Sequence, residues 1–120
     1  MVARSLSKKN ILKSAASLDA VFSSGEKFTF SSTSVYYLRC DSEKGFRVAF
    51  TVGKKTHRLA VTRNKIKRLM KEAFRLNIKN YNIVSCDLVF VFFDKDIPSY
   101  KEVENSMKSL LLSLSKTLEV

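Results

Sequence analysis

Three stretches of the chain carry the residue pattern of β-strands. FRVAFTV, from Phe46 to Val52, places its apolar side chains on one face and predicts a half-buried strand. KFTFSSTSVYYLRC is rich in Phe, Thr, Val and Tyr, with a break possible around Ser31–Ser32, and the DSEKG after it is typical of a turn. CDLVFVFF is a continuous apolar run, as expected of a strand covered on both faces. With the break, these stretches predict four strands.

Two other stretches have the spacing of helices. SAASLDAVFSSG predicts a short helix, which Gly25 can close as the residue after its C-cap. The shared apolar face of this helix consists of Leu18, Val21 and Phe22. The last segment begins with a capping-box pair, Ser99 and Glu102. Its apolar stripe consists of Val103, Met107, Leu110, Leu111, Leu114 and Leu118.

VTRNKIKRLMKEAFRLN, which starts at Val61, predicts a third helix with one apolar and one basic side. At about 100° per residue the apolar side chains fall within about 80° of Ile66, and this stripe should pack on the sheet. The stripe consists of Leu59, Ile66, Leu69, Met70, Ala73 and Phe74. The opposite side carries Asn64, Lys67, Arg68, Lys71 and Arg75. Thr56 or Thr62 could cap the start of this helix.

The predicted order of elements is α-β-β-β-α-β-α. A chain of 120 residues is long enough for one hydrophobic core, and it contains no repeat and no internal linker. We therefore expect a single α+β domain over residues 1–120, with helices packed on a mostly antiparallel sheet. Residues 1–13 are basic and poorly periodic, which indicates an extended arm.

The net charge of +11 is concentrated in one part of the chain. Twelve Lys or Arg and a single acid, Glu72, lie between residues 44 and 79, so this segment alone accounts for +11, while residues 1–43 give +2 and residues 80–120 give −2. On the predicted helix, basic residues recur every four positions from Arg63 to Arg75, and each like-charged pair costs roughly 0.2–0.5 kcal/mol. A helix that accepts this repulsion indicates a partner rich in phosphate, a nucleic acid.

Several other classes of protein fit the sequence poorly. The N-terminal residues lack the apolar run of a signal peptide, and no stretch reaches the ~18 apolar residues of a membrane span, so we expect a cytoplasmic protein that does not bind a membrane. Cys40 and Cys86 lie in strand-like stretches and are interpreted as buried, reduced thiols. With one His, they cannot supply the four ligands of a zinc site.

Three functional alternatives remain open at this point. Asp94 and Asp96 are the only close pair of aspartates, so a self-sufficient metal nuclease has little support. A DNA-reading helix-turn-helix would need a second helix with a tight turn before the basic one. A general or ribosomal RNA-binding protein without a role in tRNA processing fits the basic patch, and only the spacing around Arg63 argues against it.

RVAFTVGKK followed by AVTRNKIKRLMKEAFR resembles the protein subunit of bacterial ribonuclease P, with the RNR motif of that family on its helix. The resemblance extends from about Lys9 to Leu114 and includes SLDAVFSSG and DLVF. It implies an α-βββ-α-β-α fold with a left-handed βαβ crossover, like the second domain of ribosomal protein S5. The usual right-handed rule would not have predicted this crossover.

The resemblance also implies a function. In that family an RNA subunit with Mg²⁺ cleaves precursor tRNA and releases the 5′ leader, while the protein docks beside the RNA and helps to bind leader and metal. We therefore expect a ribonuclease P RNA and precursor tRNA as partners, one protein per RNA subunit and no further protein. We expect no catalytic residue, no metal site and no tightly bound cofactor in the protein itself, since Mg²⁺ belongs to the RNA subunit.

Two groups of residues are candidates for these contacts. The motif, enlarged by the neighbouring cations, assigns to the RNA subunit Lys54, Lys55, Arg58, Arg63, Asn64, Lys65, Lys67, Arg68, Lys71 and Arg75. The residues that match the central cleft of the family, where the single-stranded leader passes, are Leu18, Phe22, Tyr36 and Thr51. Rings stack on unpaired bases for roughly 1–3 kcal/mol each. Ordinary core packing is the alternative for Phe22 and Tyr36.

This chain departs from the family pattern in two ways. The second arginine of the motif is Lys65, and a later arginine position is Lys71, so contacts there should be less directional than a bidentate guanidinium would make. KKTHRLAVTRN is also one residue longer than the usual pattern, with His57 and Arg58 where Gly-Asn is typical. This extra residue affects where the helix starts, and hence the direction of Lys54 and Lys55 before it.

Overall fold

The strand patterns form one four-stranded sheet in the computed structural model, which describes residues 11–39, 45–81, 83 and 86–118. The strands are β1 (Glu26–Phe30), β2 (Thr33–Arg39), β3 (Arg47–Val52) and β4 (Cys86–Phe92), and their order in space is β1-β2-β4-β3. β2 pairs antiparallel with both β1 and β4, whereas β3 runs parallel to β4. The predicted α+β class with a mostly antiparallel sheet is confirmed.

Within the described residues, three α-helices cover the sheet: α1 (Ala15–Ser24), α2 (Ala60–Asn77) and α3 (Tyr100–Leu118). α2 and α3 pack on one face and bury the main core with the inward side chains of all four strands. α1 lies on the other face, where Val21 packs on Val89 in a smaller cluster. The predicted order of elements is confirmed, and the handedness of the β3–α2–β4 crossover stays a prediction.

The turn between β1 and β2 lies at Ser31–Ser32, where the break was predicted. Ser31 has φ 56, a left-handed conformation that residues other than glycine seldom adopt. Beside the turn, the hydroxyls of Thr29 and Ser34 share a 2.8 Å hydrogen bond across the two strands. Ser32 Oγ donates to Asp94 Oδ2 at 2.8 Å, so the turn is tied to the segment that follows β4.

β3 and β4 have the burial that their patterns predict. Val48 is buried, and Phe46 and Phe50 pack edge-on against Phe74 of α2 at ring distances of 5.4 and 5.7 Å. Every residue of β4 except Val91 is buried, which confirms a strand covered on both faces.

α1 ends where the backbone of another strand comes very close. Ser14 caps the start of the helix by accepting a hydrogen bond from Ser17 N at 3.4 Å. Gly25 is itself the C-cap, in an extended conformation with φ −79. A Cβ at this position would lie 2.4 Å from Val21 O and 2.5 Å from Tyr37 O. Glycine is therefore required here for close approach of two chain segments.

α3 confirms both parts of its prediction. Ser99 N donates to Glu102 Oε1 at 3.0 Å, and Glu102 N donates to Ser99 Oγ at 3.2 Å, which is the reciprocal pair of a capping box. The predicted stripe is buried at every position: Val103, Met107, Leu110, Leu111, Leu114 and Leu118.

α2 confirms the predicted apolar stripe from Ile66 onward but not its start. The buried residues of the stripe are Ile66, Met70, Ala73 and Phe74, and Leu69 packs against them partly buried. The helix begins at Ala60 with Leu59 as N-cap and without a side-chain cap, so the predicted capping by Thr56 or Thr62 is wrong. Leu59 is 70% exposed and does not belong to the stripe, because it precedes the first helical turn.

Parts of some predictions lie outside the described residues. Of the predicted arm, Ile11 forms a parallel bridge with Val48, and Leu12 N donates to Val48 O at 2.9 Å; residues 1–10 lie outside. Of the DSEKG turn, the structure describes Gly45, with φ 85. Cys86 is buried as predicted, and Cys40 lies outside the described ranges.

Candidate nucleic-acid interface

The exposed side of α2 and the turn before it together carry most of the cations that the sequence assigned to RNA. Along the helix Asn64, Lys65, Arg68 and Lys71 are exposed and Lys67 is half-buried. The turn before the helix adds three more exposed cations: Lys54, Lys55 and Arg58. Glu72 is the only acid of α2, and it is occupied by an ion pair with Arg75. The exposed face is therefore strongly positive and suited to phosphate.

Arg63 has a structural role besides any contact with RNA. Its Nη1 donates to the carbonyl oxygen of His57 at 2.9 Å and to that of Arg58 at 2.7 Å. These bonds tie the first turn of α2 to the segment that precedes it, where no side chain caps the helix. The guanidinium of Arg63, which the sequence assigned to RNA, therefore also stabilises the start of α2.

Arg75 lies apart from the exposed cations. Its guanidinium forms the ion pair with Glu72, with Nε 3.3 Å from Glu72 Oε2. Both side chains act electrostatically on Tyr100 of α3, whose pKa is raised by burial, by Glu104 and by Glu72 and lowered by Arg75. Arg75 thus faces the contact between α2 and α3, and its assignment to RNA stays a prediction with less geometric support than that of Arg68.

His57 anchors the turn that leads from β3 into α2. The amides of Thr56 and His57 both donate to Gly53 O at 3.1 Å. The His57 side chain is buried, its Nε2 lies 2.9 Å from Asp94 O, and its ring stacks on Phe92 at 6.2 Å. This residue belongs to the stretch in which the chain is longer than the family pattern. Sequence reasoning marked the extra length but not this anchor, because its partners are 35 or more positions away in the chain.

The predicted cleft residues share the face of the sheet that α1 covers. Phe22 and Tyr36 contact each other with ring centroids 4.9 Å apart and planes at 68°. Phe22 is 44% exposed and Tyr36 is partly exposed, so neither ring is fully committed to the core. Leu18 packs against the same small cluster, and Lys27 Nζ lies 5.6 Å over the Tyr36 ring. Three of the four residues are thus brought together beside a cation.

Thr51, the fourth residue, lies on the same face of the sheet as this group but two strands away from Tyr36, on β3. In the strand register Tyr36 is opposite Val89, and Thr51 is opposite Val91, one step further along β4 on the same face. The structure therefore places Thr51 on the same open surface as Tyr36 but not in contact with it. This surface runs across β2, β4 and β3, and we call it the cleft face.

The cleft face and the basic side of α2 meet at the outer edge of β3. Lys71 of α2 lines a surface cavity of about 220 Å³ with Leu12, Val48 and Ala49, among others. Ala49 lies two positions before Thr51 in β3 and belongs to the cluster under α1. The two candidate surfaces are therefore neighbours around one strand.

One ion pair closes the opposite end of the cleft face. Arg47 and Asp87 are paired residues of β3 and β4, and the guanidinium makes two bonds to the carboxylate, of 2.8 and 2.7 Å. Asp87 is buried, whereas the Arg47 side chain is 35% exposed. The buried charge is thus compensated within the sheet.

Two features are absent from the residues that the structure describes. In these ranges, no cluster of three or more His, Cys, Asp or Glu side chains is arranged to hold a metal ion. In the same ranges, no helix combines the length and the apolar character that crossing a membrane requires.

Comparisons with known proteins extend the resemblance seen in the sequence. The family profile of Ribonuclease P matches residues 6–115. The chain is 34% identical over 102 residues to the ribonuclease P protein component of Clostridioides difficile. This alignment covers 83% of this chain and 87% of that protein. It is 33% identical over 121 residues to the ribonuclease P protein component of Porphyromonas gingivalis, covering 92% and 86%.

Solved structures share the fold. The ribonuclease P protein of Staphylococcus aureus superposes with a TM-score of 0.73 at 27% identity, covering 92% of each chain. A second S. aureus structure, with a TM-score of 0.72 at 26% identity, is that of a mutant with defective mRNA degradation activity. The protein from Thermotoga maritima gives a TM-score of 0.72 at 22% identity, a likeness that shows the fold alone.

The matched region includes the whole sheet, all of α1 and of the basic helix α2, and nearly all of α3. The sequence relatives exceed 30% identity over more than four fifths of the chain. The chain therefore belongs to the Ribonuclease P protein family.

Proposed function

We propose that this chain binds the catalytic RNA subunit of ribonuclease P and the 5′ leader of precursor tRNA. In this proposal the RNA subunit, with Mg²⁺, performs the endonucleolytic cleavage that leaves the mature tRNA 5′ end. The protein contributes binding and positioning, and one protein joins one RNA subunit in the cytoplasm. The observation that carries the proposal is the adjacency, around β3, of a basic helix face and a cleft face with exposed rings.

The basic face is suited to folded RNA. Arg68, Lys71 and the lysines of the preceding turn offer charge and hydrogen-bond donors but no ring. Such groups bind phosphate oxygens and position a protein on folded RNA without reading its sequence. We assign this face to the RNA subunit.

The cleft face is suited to a single strand. The exposed ring of Phe22 contacts the partly exposed ring of Tyr36, and the ammonium group of Lys27 lies over the Tyr36 ring. Unpaired bases stack on such rings in a sequence-tolerant way, and a nearby cation attracts their phosphates. The leader of precursor tRNA is an unpaired strand, and we assign it to this face.

The decisive experiment mixes the protein with precursor tRNA, with and without a bacterial ribonuclease P RNA, at a low Mg²⁺ concentration. We expect cleavage at the 5′ end of the mature tRNA only when the RNA subunit is present, and faster cleavage with the protein than without it. The protein alone, freed of RNA, should leave precursor tRNA intact even in ample Mg²⁺.

Two results would contradict the proposal. Cleavage of precursor tRNA by RNA-free protein would place the chemistry in the protein. A protein that binds the RNA subunit and unrelated RNAs equally, and does not accelerate cleavage, would be a general RNA-binding protein. An mRNA substrate belongs in the same assay, because a related S. aureus protein has a mutant with defective mRNA degradation activity.

A further inference from the structure

Phe93 is a large apolar side chain that the core does not use. It follows the last residue of β4, and its ring is 47% exposed. Its amide donates to Ser32 O at 3.0 Å, which continues the pairing of β2 with β4 by one residue. The backbone of Phe93 is therefore held in strand-like geometry although its ring is not packed away.

The ring of Phe93 belongs to the cleft face. Side chains alternate along a strand, and the preceding residue, Phe92, is buried in the main core against the His57 ring. Phe93 therefore lies on the opposite face, in line with Val89 and Val91. These are the residues opposite Tyr36 and Thr51.

The charges around Phe93 favour a polyanion. Val52, the last residue of β3, pairs with Phe92, and the chain continues from there through Gly53 to the exposed Lys54 and Lys55. The nearest acid in sequence, Asp94, is turned to other partners. Its carboxylate accepts hydrogen bonds from Ser32 Oγ at 2.8 Å and from Asp96 N at 3.2 Å.

We propose that Phe93 is a third stacking position of the cleft, occupied by an unpaired nucleotide of the same strand that stacks at Phe22 and Tyr36. Four residues separate the row of Tyr36 from Phe93 along β4, about 13 Å at about 3.3 Å per residue. The strand would thus cross the cleft face from α1 towards Lys54 and Lys55. This inference rests on the proposed single-strand site and extends it to the end of β4.

The test measures binding of the full-length protein to fluorescently labelled oligo(A) of about ten nucleotides, by fluorescence anisotropy at low salt. Phe93→Ala should weaken binding about 5- to 150-fold, the range expected for the loss of one stacked base. Phe93→Tyr keeps a ring and should bind like the unchanged protein. A dinucleotide is too short to reach both ring positions at once. In an NMR titration it should therefore shift the resonances of Phe93 and of Phe22 in independent binding events.

Phe30→Ala is the matched control. Phe30 is 44% exposed at the end of β1, and it lies two positions after Phe28, which stacks on Tyr37 in the main core. Phe30 therefore has similar exposure on the opposite face of the sheet. Phe30→Ala should leave oligo(A) binding within about twofold of the unchanged protein, since Phe30 is off the cleft face.

The outcomes separate this inference from the proposed function. If Phe22→Ala weakens oligo(A) binding and Phe93→Ala does not, the third stacking position is wrong and the cleft remains. If neither change matters, the single-strand site itself is wrong. If the protein is a dimer in solution that Phe93→Ala converts to a monomer, the ring is a protein contact and the inference is overturned.

Discussion

Tyr37 shows how one buried side chain makes stability depend on pH. Its hydroxyl donates to Glu26 Oε2 at 2.7 Å, and burial, followed by this carboxylate, raises the pKa of Tyr37 from 10.0 to about 12. The folded protein keeps the phenol proton to higher pH than the unfolded chain. The stabilisation linked to this proton is therefore complete below pH 10 and is lost as the pH rises towards 12.

We predict that the free energy of unfolding falls between pH 10 and 12 more steeply in the unchanged protein than in Tyr37→Phe. The difference should reach at most about 3 kcal/mol, since each pKa unit corresponds to about 1.36 kcal/mol. Urea unfolding of both proteins at several pH values measures it. Other groups titrate in this range, so the comparison uses only the difference between the two proteins; a constant difference would contradict the prediction.

At the scale of elements, two arginines of α2 have different roles: Arg63 is structural, and Arg68 is a candidate for binding RNA. Arg63 bonds to the carbonyls of His57 and Arg58, whereas Arg68 is exposed and has no acid beside it among the described residues of α2 other than the paired Glu72. Arg63→Ala should therefore lower the free energy of unfolding by about 1–2 kcal/mol, because charged hydrogen bonds to an otherwise uncapped helix start are lost. Arg68→Ala should change it by less than about 0.5 kcal/mol.

Urea denaturation of the two variants and the unchanged protein checks this prediction. Arg63→Lys is the informative intermediate, because it keeps the charge and loses the fork that reaches two carbonyls. If Arg63→Ala and Arg68→Ala are equally stable, the bonds of Arg63 contribute nothing to the helix start, and its original assignment to RNA alone is the better one.

At the scale of the whole molecule, two surfaces of different chemistry surround β3. Arg68→Glu should weaken assembly with the RNA subunit by ~2 kcal/mol, since one phosphate contact is lost and a repulsion is added. Phe22→Ala should leave assembly nearly intact but weaken binding of precursor tRNA to the holoenzyme by roughly 1–3 kcal/mol. Filter binding of precursor and mature tRNA measures both effects.

Mature tRNA is the control for the second change, because it lacks the leader. Phe22 also contacts Tyr36, so thermal melting must show that the variant is folded. Equal weakening of mature and precursor tRNA in a well-folded Phe22→Ala protein would show that the cleft does not hold the leader.

The concentrated charge makes assembly with RNA depend on salt. Of the twelve clustered cations, Arg47 and Arg75 are held in ion pairs and Lys44 lies outside the described residues. If five to seven of the others meet phosphates, the logarithm of the association constant should fall against the logarithm of salt concentration with a slope of roughly −4 to −6. A slope near −1, measured by titration at several salt concentrations, would mean that the patch remains solvated.

The elements themselves were predictable from short-range pattern. The capping box and stripe of α3, the alternation of β3 and the apolar run of β4 each report burial of a face, and burial imposes a period of two or 3.6 residues on the local sequence. The positive charge of α2 was equally predictable, since it follows from counting the charged residues in the sequence. The resemblance to a known family added the expected fold and the candidate cleft, which periodicity alone does not provide.

Contacts between distant parts of the chain had no such local signal. The local pattern predicts a helix end at Gly25, but glycine is required there because Tyr37 O, twelve residues later in the chain, lies 2.5 Å from where a Cβ would be. In the sequence His57 and Arg63 are simply members of a basic segment. In the fold His57 anchors the turn to Asp94, and Arg63 stabilises the start of α2. In the sequence Phe93 only ends an apolar run, and strand alternation in the folded sheet is what places its ring on the cleft face. Tertiary structure decides such roles because they depend on which strand lies alongside, and strand pairing joins residues whose separation in sequence leaves no periodic trace.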